Sequence, residues 1–155
     1  MEQLTTVDRT LFVEASPEAI WKALTEPQLT KLYRGNRLVF SQWKRGTPIR
    51  WVELVDGHQI LREKGTIMAC QPGRRLRYTT LAVESDLADD RTNETTVDIL
   101  LEPDRDDRTK VTLWQGDFAG LPDAARRARE AGRHWVEALV GLKRVAEEQQ
   151  RALAA

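Results

Sequence analysis

The chain has 155 residues, about the length of one domain that buries roughly 70% of its extended-chain surface. Its 24 basic and 24 acidic side chains cancel, which argues against a general binder of nucleic acid or of an anionic membrane, since those need a basic excess. The single cysteine, Cys70, excludes an internal disulfide, and no apolar run is long enough to span a bilayer, so a reducing cytoplasm is the expected compartment.

The amino-terminal stretch MEQLTTVDRTLFVEA lacks the charged-then-apolar order of a signal peptide. Leu4 to Glu14 sets Leu11 and Val13 against Thr10 and Glu14, an alternation broken only by Phe12, and predicts a half-buried strand. Ser16-Pro17-Glu18 then starts a helix: a serine N-cap, proline at the first helical position and an acid in the first turn. Ala19, Ile20, Ala23 and Leu24 supply its apolar face, with Trp21 at the flank, and Thr25-Glu26-Pro27 closes it. Gln28 to Tyr33 predicts a second helical turn or two, with Leu29 and Leu32 facing in.

From Asn36 onward the period changes to two. Leu38 to Phe40 is a short strand, and Gly46-Thr47-Pro48 turns into a strand over Ile49 to Val55. Asp56-Gly57 marks a hairpin, because that turn wants positive φ at both positions. His58 to Ala69 returns, and Gln71-Pro72-Gly73 turns into Leu76 to Val83. Glu84 to Glu94 has little to bury and reads as an exposed charged loop. Thr95, Val97, Ile99 and Leu101 alternate with polar neighbours, Pro103 to Arg108 is a charged turn, and Thr109 to Gln115 returns with Val111 and Leu113 on one face.

The last stretch, Leu121 to Gln150, is one long helix. Ala128, Ala131, Trp135, Leu139, Leu142 and Ala146 recur at spacings of three and four, opposite Arg126, Arg133, Glu137, Arg144 and Glu148. A dry stripe of that length needs a broad surface to lie on, and the strands supply it. The expected architecture is α+β: a curved antiparallel sheet wrapped around a carboxy-terminal helix, with two short helices after the first strand. No linker or repeat divides the chain, so one domain over residues 1–155 is expected.

In this order of elements the chain resembles the START-like, helix-grip superfamily called SRPBCC, and within it the branch named for the activator of heat-shock-protein-90 ATPase. The resemblance rests on Ala15-Ser16-Pro17-Glu18-Ala19-Ile20-Trp21-Lys22-Ala23-Leu24-Thr25, on Asp56-Gly57, and on Gly65 and Ile67 before Pro72 with Leu76 and Tyr78 beyond. Thr109 to Leu113, Phe118, and Trp135 with Leu139, Leu142 and Lys143 complete it. Two places depart from the pattern. Lys31-Leu32-Tyr33-Arg34-Gly35 has only Tyr33 where many members are aromatic-rich, and Arg133 and His134 separate Gly132 from Trp135. Both would border the entrance of a pocket.

A bent sheet gripping one helix tends to leave a cavity on its concave face, and apolar cavities bind apolar molecules. The expected lining is Ile49, Trp51, Leu61, Ile67, Leu76, Tyr78, Val97, Ile99, Val111, Leu113 and Gln115 from the strands, with Trp135 and Leu139 from the helix. These side chains pack equally well as a solid core, and sequence does not measure an empty volume. Glu53 is in phase with Trp51, and Glu63 with Leu61 and Ile67. A buried carboxylate costs several kcal/mol unless paired or protonated, so either, with Tyr78, is a candidate catalytic group. The alternative is a bulge that shifts the register and leaves both glutamates solvated.

His58 follows the hairpin turn and His134 sits at the flank of the helix stripe; neither has a Cys, Asp or second His at ligand spacing, so no metal and no cofactor is expected. There is no Gly-rich phosphate loop and no nucleophile elbow. Cys70 reads as a packing residue at a strand end. The resemblance implies a binding module for a small apolar or amphipathic ligand, or an enzyme of the polyketide cyclase or aromatase type using Glu53 or Glu63 with Tyr78. Co-chaperone action on a heat-shock ATPase is implied by the branch name alone, and a homodimer stays open.

Overall fold

The computed structural model describes residues 4–83 and 91–154. Seven strands follow as β1 (Val7–Val13), β2 (Arg37–Ser41), β3 (Pro48–Val55), β4 (His58–Gln71), β5 (Arg75–Ala82), β6 (Thr95–Arg105) and β7 (Arg108–Gly116). Helices α1 (Pro17–Thr25) and α2 (Pro27–Thr30) stand between β1 and β2, and α3 (Ala124–Ala154) closes the chain. The sheet order is β1-β7-β6-β5-β4-β3-β2 with every neighbouring pair antiparallel. This is the helix-grip architecture expected of the sequence.

Local chemistry explains the joints. Ser16 Oγ accepts from the Ala19 N–H at 3.2 Å, capping α1 with Pro17 at its first position. Asp56 and Gly57 take φ of 50° and 80°, the left-handed pair that a two-residue hairpin demands. Along β6 as far as Leu101 and along β7 every second residue is buried, so Thr95, Val97, Ile99, Leu101, Val111 and Leu113 share the inner face.

The helix is stitched to β1, which runs beside it in the same direction. Lys143 Nζ donates to the Phe12 carbonyl at 3.3 Å, the Glu14 N–H to Glu147 Oε2 at 2.8 Å, and the Ser16 N–H to Gln150 Oε1 at 3.0 Å. Leu142, Val145 and Ala146 are buried between α3, α1 and the sheet. Each fully buried large apolar side chain there contributes about 1.5 to 3 kcal/mol. The stripe is wider than the spacing suggests, because Ala138 and Val145 are buried as well.

Four expectations need correction. Leu32 is 56% exposed whereas Leu29 is 7% exposed; α2 ends at Thr30, and the turns after it point Tyr33 inward instead. The β6–β7 turn is tighter than Pro103 to Arg108, since Pro103 to Arg105 remain in β6 through a bulge and Asp107 takes the positive φ. Helix α3 starts at Ala124 rather than Leu121, after a turn in which Asp123 has a φ of 54°. Leu61 does not share the inner face, for the reason given below. The charged loop expected over residues 84–94 lies in part outside the described residues; Arg91–Asn93 form a short 3-10 turn. Among the described residues no helix is long and apolar enough to cross a membrane.

Candidate functional site

A small void and a larger groove lie between α3 and the sheet. Deep inside, Leu24, Trp51, Leu76, Tyr78, Ile99 and Leu142 surround a void of only about 10 Å³, room for one water at most. The deep interior is therefore a packed core. Beyond it lies a groove of about 540 Å³ between the first half of α3 and strands β3 to β7, within the roughly 300 to 1,000 Å³ of ligand sites. Tyr33, Arg34, Trp135 and Ala138 border both spaces.

The junction between them is held by Arg34. Its guanidinium lies over the Trp51 indole at 4.5 Å and over the Trp135 indole at 4.7 Å from the ring centroids, a double cation–π contact. The loop that presents it is tied down on all sides. Tyr33 Oη donates to the Ala23 carbonyl at 2.7 Å, Asn36 Nδ2 to the Leu54 carbonyl at 2.8 Å, and Arg144 to the Leu32 carbonyl at 3.2 Å. Tyr33 packs so closely on α3 that a Cβ at Gly141 would stand 2.5 Å from its own Cβ. Among the described residues Arg34 has no carboxylate or hydrogen-bond acceptor on its side chain. The Trp51 Nε1 is buried and likewise without an acceptor there.

The groove walls are polar on the strand side. Glu53 pairs with Arg62 at 3.1 Å, and Glu63 accepts from the Thr80 hydroxyl and faces Arg37 at 3.7 Å. Deeper, the Trp135 Nε1 donates to Gln115 Oε1 at 2.6 Å while Gln115 Nε2 donates to Thr95 Oγ1 at 3.0 Å, all buried. Tyr78 stands at the floor with its phenol pushed above the usual range by burial; the Arg34 charge opposes this and the Glu63 charge adds to it. At neutral pH that hydroxyl is therefore a donor, not a base. Burial also pushes up the Tyr33 phenol, again against Arg34. On the helix side an apolar strip of Phe118, Leu121, Ala131 and Trp135 is bordered by Arg127 and by the exposed Glu130, His134 and Glu137.

The sequence-derived residues separate into three groups. Glu53, Glu63, Val97, Gln115 and Trp135 line the groove, and Trp51, Leu76, Tyr78, Ile99 and Leu139 surround the void at its base. Ile49, Ile67, Val111 and Leu113 are buried core that reaches neither space. Leu61 is half-buried on the outer face. Trp51 pairs with Glu63 but Val52 pairs with Leu61, so a bulge at Arg62 reverses the phase between residues 61 and 63. The bulge thus turns Leu61 out and leaves Glu63 beside the groove.

His134 is an exposed rim residue of the groove and His58 is exposed at the start of β4. Cys70 is half-buried at the end of β4, its thiol raised by burial. No group of three or more His, Cys, Asp or Glu side chains among the described residues is placed to hold a metal. Sequence periodicity had no means of finding Arg34, Arg37 or Thr80. Arg34 and Arg37 flank a loop with neither period, and Thr80 reads as an ordinary strand threonine.

Among solved structures, a protein from Cytophaga hutchinsonii superposes with a TM-score of 0.73 at 25% identity, covering 100% of both chains. A protein from Mesorhizobium loti gives a TM-score of 0.71 at 23% identity over 92% of this chain and 97% of that one. The Aha1 dimer from Colwellia psychrerythraea gives 0.68 at 18% identity over 92% and 96%. No curated protein matches the sequence. The model of the family described as Activator of Hsp90 ATPase homolog 1-like protein matches residues 14–147, which takes in α1, the whole run from β2 to β7 and most of α3. The chain belongs to that family.

Proposed function

We propose that the protein binds a small amphipathic molecule, without chemistry, in the groove between α3 and the sheet, and that it does so in a reducing cytoplasm. The observation that carries this reading is the groove itself: about 540 Å³, with an apolar strip of Phe118, Leu121, Ala131 and Trp135 on its helix side and hydrogen-bonding side chains on its strand wall. A molecule with an apolar body and a polar end satisfies both; a purely apolar one would strand Thr80, Glu63 and Arg37 away from water. Native mass spectrometry after gentle extraction tests it. A co-purified small molecule is expected with the natural chain and is expected to be lost from Ala131→Trp, which fills the groove from its helix side. A chain that carries no small molecule, or an Ala131→Trp variant that retains it, rules the reading out.

A second reading is favoured by one observation: Glu53 and Glu63 both border the groove rather than the convex face. A cyclase or aromatase would use such a carboxylate as general base; Tyr78, expected as its partner, lies in the void beneath and does not line the groove. On this reading the co-purified molecule is converted by the natural chain during incubation and persists unchanged with Glu63→Gln and Glu53→Gln. Unchanged mass with the natural chain excludes it. Stimulation of a heat-shock ATPase, from which the family takes its name, is assayed directly with a purified Hsp90.

A further inference from the structure

Arg34 is a cation held by two aromatic rings and given no anionic partner among the described residues. Two indoles hold the guanidinium at 4.5 and 4.7 Å, and an indole face offers no lone pair to its N–H donors. None of the described carboxylates pairs with it: Glu53 is engaged by Arg62, and Glu63 by Thr80 and Arg37. A guanidinium carries five N–H donors in a planar fork that matches a carboxylate edge to edge. Here the guanidinium is held by its contacts to both indoles and its loop by the tethers of Tyr33 and Asn36, so little freedom is left to lose on binding. It borders both the groove and the void below it. A second unused donor belongs to the same cluster, the buried Nε1 of Trp51.

We propose that Arg34 is the anchor for the carboxylate of an amphipathic acid, whose apolar body lies along Phe118, Leu121 and Trp135. This rests on the groove-binding reading and narrows it to an anionic ligand. A carboxylate can take up the N–H donors that the two rings leave without an acceptor. The apolar remainder then covers the apolar strip, while the glutamate–arginine pairs of the opposite wall stay intact. An organic cation finds Glu53, Glu63 and Glu130 already paired, has only the exposed Glu137 of the groove lining to meet, and faces Arg34 as a like charge.

Isothermal titration calorimetry with naphthoate and decanoate, each against its neutral amide, tests the assignment. A charge-assisted bidentate contact corresponds to a preference of roughly tenfold to a hundredfold for each acid over its amide. Arg34→Gln is expected to bind acid and amide alike, Arg34→Lys to keep only part of the preference, and Arg133→Gln, an equal charge change outside the groove, to keep all of it. Equal binding of acid and amide by the natural chain overturns the proposal while leaving the groove-binding reading intact, as does a full preference in Arg34→Gln or an equal loss in Arg133→Gln. If Arg34→Gln binds none of the probes, Arg34→Lys decides: a reduced preference supports the anchor and an unchanged one overturns it. Failure of the natural chain to bind any of the four probes overturns both readings together.

Discussion

Trp135 on α3 donates its indole N–H to Gln115 Oε1 on β7 at 2.6 Å, and the Gln115 amide passes the contact on to Thr95 Oγ1 on β6 at 3.0 Å. Helix and sheet are thus joined at the base of the groove by a buried polar chain in which every member has a partner. Replacing Gln115 by leucine keeps the volume but leaves the indole N–H and the threonine hydroxyl without acceptor or donor. Such orphaned groups cost about 1 to 3 kcal/mol each. Urea denaturation is expected to show Gln115→Leu destabilised by roughly 2 to 4 kcal/mol. Combining it with Trp135→Phe is expected to cost less than the sum of the two, because both remove the same bond. Strict additivity would mean that the bond carries none of the stability.

The α2 region separates what a pattern predicts from what packing selects. Leu29 and Leu32 stand three apart and look equivalent on a helical wheel, yet Leu29 is 7% exposed and Leu32 is 56% exposed. Leu29→Ala is expected to cost about 2 to 4 kcal/mol, as large-to-small changes in a core do, and Leu32→Ala to stay within about 0.5 kcal/mol. Comparable losses in thermal or urea unfolding would contradict the placement of Leu32.

That contrast shows where the sequence was informative. Local chemistry with a fixed geometric demand was legible: the Ser16-Pro17 start of α1, the Asp56-Gly57 hairpin, and the alternation along β6 and β7. Features set by the meeting of distant elements were not. The bulge at Arg62 that turns Leu61 outward leaves no mark in the residue pattern, because an extra residue in a strand changes phase without changing composition. Arg34 is the sharper case. Its neighbours in space, Trp51 and Trp135, lie far from it along the chain, and nothing in Lys31 to Gly35 announces that an arginine there will be clamped by both. The volume of the groove was equally hidden, since the same inward residues fill the void below it almost completely.

Gly141 faces Tyr33 across the helix-to-loop contact that carries Arg34. Alanine in a helix interior is favoured over glycine by about 1 kcal/mol. Here, however, the new methyl would stand 2.5 Å from the Tyr33 Cβ, and the ring cannot retreat freely because its hydroxyl is bonded to the Ala23 carbonyl at 2.7 Å. Overpacking costs about 1 to 3 kcal/mol, so the clash wins and Gly141→Ala is expected to be net destabilising. In a Tyr33→Gly background, which removes the Cβ as well as the ring, the same change has space and is expected to stabilise by up to about 1 kcal/mol relative to Tyr33→Gly alone. A stabilised single variant would show that Tyr33 does not press on α3.

The chain has two tyrosines, Tyr33 and Tyr78, and burial raises both phenols, with Arg34 opposing the rise in each. In the unfolded chain a tyrosine ionises near pH ~10. Above that value the unfolded state releases protons that the folded state keeps, so the stability these groups confer is intact below pH ~10 and declines as pH rises toward their folded values. The slope is about 1.4 kcal/mol per pH unit for each tyrosine. Spectrophotometric titration is expected to show no phenolate absorbance at the pH where free tyrosine is half-ionised, and then both groups ionising together as the chain unfolds. Tyr78→Phe is expected to halve the amplitude of that step and flatten the fall in stability above pH ~10. Replacing Arg34 by glutamine removes the one nearby positive charge that favours phenolate, so ionisation is expected to be delayed further still. Phenolate forming near pH ~10 in the folded protein would show that water and counter-charge reach these hydroxyls, and that Tyr78 is not sealed beneath the Arg34 stack.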